Sequence, residues 1–88
     1  MSYSLQILPR AEKQLARLNS PHYESVKAKA YGLREEPRPA GCRKLRGHDA
    51  WRIRAGDYRV IYTIDDRAKR VTVVKIGHRS EAYESLHF

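Results

Sequence analysis

The chain has 88 residues and a formal net charge of +8, from 18 Lys+Arg against 10 Asp+Glu. That length holds one domain over residues 1–88, and 41% hydrophobic residues are enough to pack a core, which excludes wholesale disorder. No apolar run approaches membrane-spanning length, the N-terminus lacks a secretory pattern, and the single cysteine, Cys42, excludes an internal disulfide or a cysteine-based zinc site.

In chain order, Ser2 to Ile7 alternates polar and apolar residues and predicts a short strand. Pro9 suits a first helical turn, and Ala11, Leu15 and Leu18 then form one apolar stripe. Ser20 and Pro21 predict the cap and first residue of a second helix, whose stripe is Tyr23, Val26, Ala30 and Leu33. Pro37 and Pro39 stop it, and a basic loop runs to Gly47. The period then changes to two: Trp51 to Ala55, Tyr58 to Asp65 and Arg70 to Gly77 predict three strands, with a short helix in the tail from Ser80. The expected class is α+β, with a helical hairpin on one face of a small, mostly antiparallel sheet of about four strands.

The central hairpin has a derivable register. Gly56-Asp57 between two strand-like runs predicts a two-residue type II′ turn. Ala55 then pairs with Tyr58, Arg54 with Arg59, Ile53 with Val60, Arg52 with Ile61 and Trp51 with Tyr62. The apolar and aromatic set (Trp51, Ile53, Ala55, Tyr58, Val60, Tyr62) shares one face, and Arg52, Arg54 and Arg59 share the other. Like charges directly opposite, as Arg54 and Arg59 are, cost on the order of a few tenths to 1 kcal/mol. Such a cluster suits phosphate, because guanidinium is always charged and bidentate. The competing reading is a solvated face over which Asp49 and Asp57 fold.

Lys44 and Arg46 add positive charge beside the hairpin and join Arg52 and Arg54 as candidate phosphate- and RNA-binding residues. His78 and Arg79 end the last strand, and Tyr83 lies one helical turn further, so all three are expected near the arginine face. The ordinary pKa of histidine suits proton transfer near neutrality, though a surface role or a local cap is the plainer alternative for His78. His22, His48 and His87 show no metal-ligand spacing, and Cys42 has no catalytic partner pattern.

Lys44-Leu-Arg-Gly47, Trp51-Arg-Ile-Arg54, Gly56-Asp-Tyr-Arg-Val-Ile-Tyr62 and Ile76-Gly-His-Arg79 through Tyr83 resemble the RelE/ParE superfamily of toxins from bacterial type II toxin–antitoxin systems. The order of elements agrees along nearly the whole chain. The resemblance implies a RelE-like fold whose exposed sheet face does the work. RelE-type members cut mRNA in the ribosomal A site by attack of a 2′-hydroxyl on the adjacent phosphate. By position, the family's working residues fall on Arg52, Arg54, Arg59, Arg79 and Tyr83, with His78 as a proton carrier and Tyr83 stacking on a base or orienting the nucleophile. Where other members carry lysines this chain has Arg52 and Arg54, which stabilise charge but do not act as a general base. The resemblance implies a ribosome-dependent endoribonuclease, because Arg59 and the C-terminal His78, Arg79 and Tyr83 are what a nuclease needs and a gyrase poison does not; the alternatives are a ParE-type gyrase poison and an inactive antitoxin binder. It also implies a cytoplasmic location, an antitoxin with an acidic segment, operator DNA reached only through that antitoxin, and no cofactor, metal or membrane.

Overall fold

A computed structural model of the chain describes residues 2–79. Its elements are β1 (Ser4–Ile7), α1 (Pro9–Ala16), α2 (His22–Gly32), β2 (Arg43–Lys44), β3 (Trp51–Ala55), β4 (Tyr58–Asp65) and β5 (Arg70–His78). The strands form one mixed sheet in the order β1-β5-β4-β3-β2, with β1 parallel to β5 and the other neighbours antiparallel. The class is the expected one. The fifth strand is β2, inside the segment expected to be loop. The predicted C-terminal helix lies outside the described residues.

Both helices lie on one face of the sheet. Ala11 and Leu15 of α1, with Val26 and Ala30 of α2 and Leu33 just beyond it, bury against Ile53, Ala55, Val60, Tyr62, Val71, Val73 and Ile76. The helix α1 closes at Ala16, short of the predicted stripe, yet Leu18 still packs on this core. Pro21 occupies the N-cap of α2, one position earlier than expected, and no side chain caps that helix. The carbonyl of Asn19 accepts from the Tyr23 N–H instead (3.0 Å), so the backbone itself closes the first turn.

Short β1 covers only Arg70–Val73 of β5. Helix α1 protects the rest of that edge. The Leu8 N–H donates to the Val73 carbonyl (3.0 Å), Arg10 Nη2 to the Val74 carbonyl (3.3 Å), and the Ile76 N–H to Gln14 Oε1 (2.8 Å). These bonds satisfy strand groups that an open edge leaves unpaired.

The β3–β4 register is the predicted one at all five pairs, Trp51↔Tyr62 to Ala55↔Tyr58. Gly56 sits at φ +62°, the left-handed region that the first turn position requires. The next hairpin holds an irregularity that alternation did not foretell. Tyr62 pairs with Val73 and Ile61 with Lys75, so Val74 is the extra residue of a β-bulge. Without it, the side chains of β5 beyond Val73 would change faces, burying Lys75 under the helices and expelling Ile76. With it, Ile76 enters the core, while Val74 joins Ile61 and Ala50 in a second apolar cluster flanked by Leu8 and Leu45.

Candidate functional site

The sheet face away from the helices carries most of its basic residues in two rows, with Arg70 apart from them opposite Asp65. Arg43 of β2 stands opposite Arg52, Arg52 opposite Ile61, and Ile61 opposite Lys75. In the next row Arg54 faces Arg59, and Arg59 faces Gly77. The hairpin turn gathers the three predicted arginines onto this one side. Neither of the ion pairs found among the described residues, Arg38–Asp66 and Lys44–Asp49, involves them.

Burial sharpens the arrangement. Arg52, Arg59 and Lys75 are only 8%, 7% and 7% exposed, whereas Arg43, Arg54 and Arg79 are exposed. Arg59 donates from Nη1 to the carbonyls of Tyr58 (3.3 Å) and Gly56 (3.5 Å), and its buried Nε has no hydrogen-bond partner. A buried guanidinium donor left unmatched, with another arginine across the ladder, costs stability. An anion placed there offsets that cost through charge-assisted hydrogen bonds.

The other candidates divide. The Arg79 N–H donates to the Asp57 carbonyl (2.7 Å), which fixes this residue beside the hairpin turn. Arg79 itself is exposed and lies one residue beyond the end of β5. His78 is not brought to the arginine face, contrary to the sequence expectation. It pairs with Tyr58 in the ladder and packs its ring edge-on against Tyr58 (5.6 Å), whose other neighbour is His22 of α2 (5.2 Å). The bulge restores an alternation that leaves Gly77 on the arginine side and His78 on the helix side. Lys44 stands opposite Trp51, on the side away from Arg52, with Nζ 3.8 Å from Asp49 Oδ1. Arg46 is exposed in the loop after β2, outside the two rows. Tyr83 lies outside the described residues.

Three cations of this face escaped the sequence reading: Arg43, Lys75 and, opposite Asp65 at the far end of β5, Arg70. Arg43 lay in a segment taken for loop, and its place depends on two residues of tertiary pairing. Lys75 was hidden by the bulge. The adjacent Val73-Val74 pair, which breaks strict alternation, is the signal that marks it.

The chain as a whole has known relatives. Residues 5–83 match the family model described as the ParE toxin of type II toxin–antitoxin system, parDE. The mRNA interferase toxin RelE of Escherichia coli is 36% identical over 88 residues, covering 94% of this chain and 92% of that protein. Toxin RelG of Mycobacterium tuberculosis is 31% identical over 87 residues, covering 94% and 98%. Among solved structures, the archaeal RelE–RelB complex from Pyrococcus horikoshii superposes with a TM-score of 0.80 at 33% identity, covering 93% of this chain and 100% of that one. The intact Escherichia coli RelBE toxin–antitoxin complex gives 0.74 at 34% identity, covering 88% and 96%.

Proposed function

The chain belongs to the RelE/ParE toxin family of type II toxin–antitoxin systems, and on that premise we propose that it is an mRNA-cleaving toxin of the RelE-like branch. It acts on message in the ribosomal A site, in the cytoplasm, and a cognate antitoxin holds it inactive. The relatives named as mRNA interferases and the RelE–RelB complexes support this reading.

The observation that carries the chemistry is Arg59: buried, facing Arg54 and holding a buried Nε with no hydrogen-bond partner. In the reaction a 2′-oxygen bonds to the adjacent phosphorus, the bond to the 5′-oxygen breaks, and a cyclic phosphate remains. Negative charge grows on the phosphoryl oxygens as this happens. Arg59, with Arg52 and Arg54 from β3 and Arg79 just beyond β5, stabilises that charge. The antitoxin's acidic segment competes for the same field, and operator DNA is met only through the antitoxin.

The test is induction in bacterial cells with mapping of mRNA 5′ ends. Cuts phased with codons are expected, together with growth arrest. Arg59→Ala is expected to abolish both while antitoxin binding persists. Growth arrest without cuts would favour a gyrase-directed action instead.

A further inference from the structure

The two strands that hold the arginine face also leave a gap in it. On β5, Lys75 and Gly77 share this side at a spacing of two, Gly77 stands opposite Arg59, and Arg79 follows just past the strand, tied by its N–H to the Asp57 carbonyl. Gly77 contributes no side chain between Lys75 and Arg79, opposite Arg59 of β4. Diagonal neighbours across a ladder lie roughly 7–8 Å apart, so the backbone positions of Arg59, Lys75 and Arg79 flank Gly77 at a spacing that suits one phosphodiester. The unmatched Nε of Arg59 is an independent sign that this space takes an anion.

These groups differ in one chemical respect. Arg43, Arg52, Arg54, Arg59 and Arg79 are guanidinium ions, which bind phosphate but do not give up a proton. Cleavage needs a proton on the leaving 5′-oxygen. Among the described residues of this face, Lys75 is the one cation able to supply it, and His78 lies on the other side of the sheet.

We propose that the scissile phosphate seats over Gly77 between Arg59 and Arg79, and that Lys75, delivered to this face by the bulge at Val74, donates the proton to the departing 5′-oxygen. The inference rests on the RNA-cleavage reading. As the 2′-oxygen–phosphorus bond forms and the phosphorus–5′-oxygen bond breaks, one proton passes from the Lys75 ammonium to the 5′-oxygen. The 2′-hydroxyl proton passes to water, and the Lys75 amine takes one back from solvent. The products are a 2′,3′-cyclic phosphate and a 5′-hydroxyl, with no net change in protons.

The experiment is single-turnover cleavage of message on programmed ribosomes, with either the natural linkage or a sulfur in place of the bridging 5′-oxygen. Sulfur leaves without protonation, so it bypasses the acid. Lys75→Arg keeps the charge and removes the transferable proton. It is expected to bind ribosomes as wild type does and to cut the natural linkage about 100-fold or more slowly, while cutting the sulfur linkage at close to the wild-type rate. Lys75→Met, which loses charge as well, is expected to slow both linkages. Natural-linkage cleavage by Lys75→Arg at the wild-type rate overturns the proposal, as does equal slowing of both substrates. If wild type itself cuts neither, the nuclease reading falls and takes this proposal with it; the two failures are therefore distinct.

Discussion

Asp66 shows how much one exposed side chain can organise. It accepts from the Tyr3 hydroxyl (2.6 Å) and from both terminal nitrogens of Arg38 (3.2 and 2.9 Å). The Arg38 guanidinium also lies 5.1 Å from the Trp51 ring, so the β4–β5 turn, the N-terminal residues and the loop after α2 are tied together. The Arg38 hydrogen bonds, followed by that of Tyr3, hold the Asp66 carboxyl down to about 2. An unfolded aspartate titrates near ~4, so the folded value is the lower one. The stabilisation is therefore present above about pH 4 and lost as pH falls through about 2. Solvent screens the pair and keeps the effect small. Urea midpoints of wild type and Asp66→Asn should differ at neutral pH, with wild type more stable, and converge by about pH 2. A constant difference across that range would show that the carboxylate's charge is not what stabilises. Tyr62, by contrast, has its hydroxyl pKa raised chiefly by burial, and it donates to the Pro37 carbonyl (2.7 Å).

At the scale of elements, β5 is the strand on which the rest depends. It takes β1 along its first half and α1 along its second, and its bulge decides which side chains reach which face. Gln14 is the joint between α1 and that strand. Gln14→Leu should cost about 1–3 kcal/mol by stranding the Ile76 N–H, whereas Gln14→Glu, which keeps an acceptor, should cost much less. Chemical denaturation of the two variants checks this, and equal losses would assign the role of Gln14 to packing. The β3–β4 hairpin was legible in the sequence because both determinants are local: a turn pair needing positive φ at Gly56, and strict alternation on either side. The β4–β5 hairpin was not, because one extra residue at Val74 is compatible with several registers until the core selects the one that buries Ile76.

For the whole molecule, the charge of +8 is spread over both halves of the chain, and the register puts Arg43, Arg52, Arg54, Arg59, Arg70 and Lys75 on the face away from the helices. Association with RNA, or with an acidic antitoxin segment, should weaken steeply with salt. Titration against a short RNA at several salt concentrations should give a linear log–log fall whose slope is shallower by about one for Arg54→Gln. An unchanged slope would remove Arg54 from the contact surface. Composition, period and turn chemistry by themselves determined the α+β class, the helical hairpin and the gathering of Arg52, Arg54 and Arg59 on one side, because each follows from neighbours within a few residues. Only the tertiary structure decided that His78 turns toward Tyr58 and His22, that Lys44 stands behind the sheet, and that Lys75 comes forward. Those outcomes depend on where β2 pairs and where β5 bulges, and both are settled by competition for burial among segments far apart in the chain.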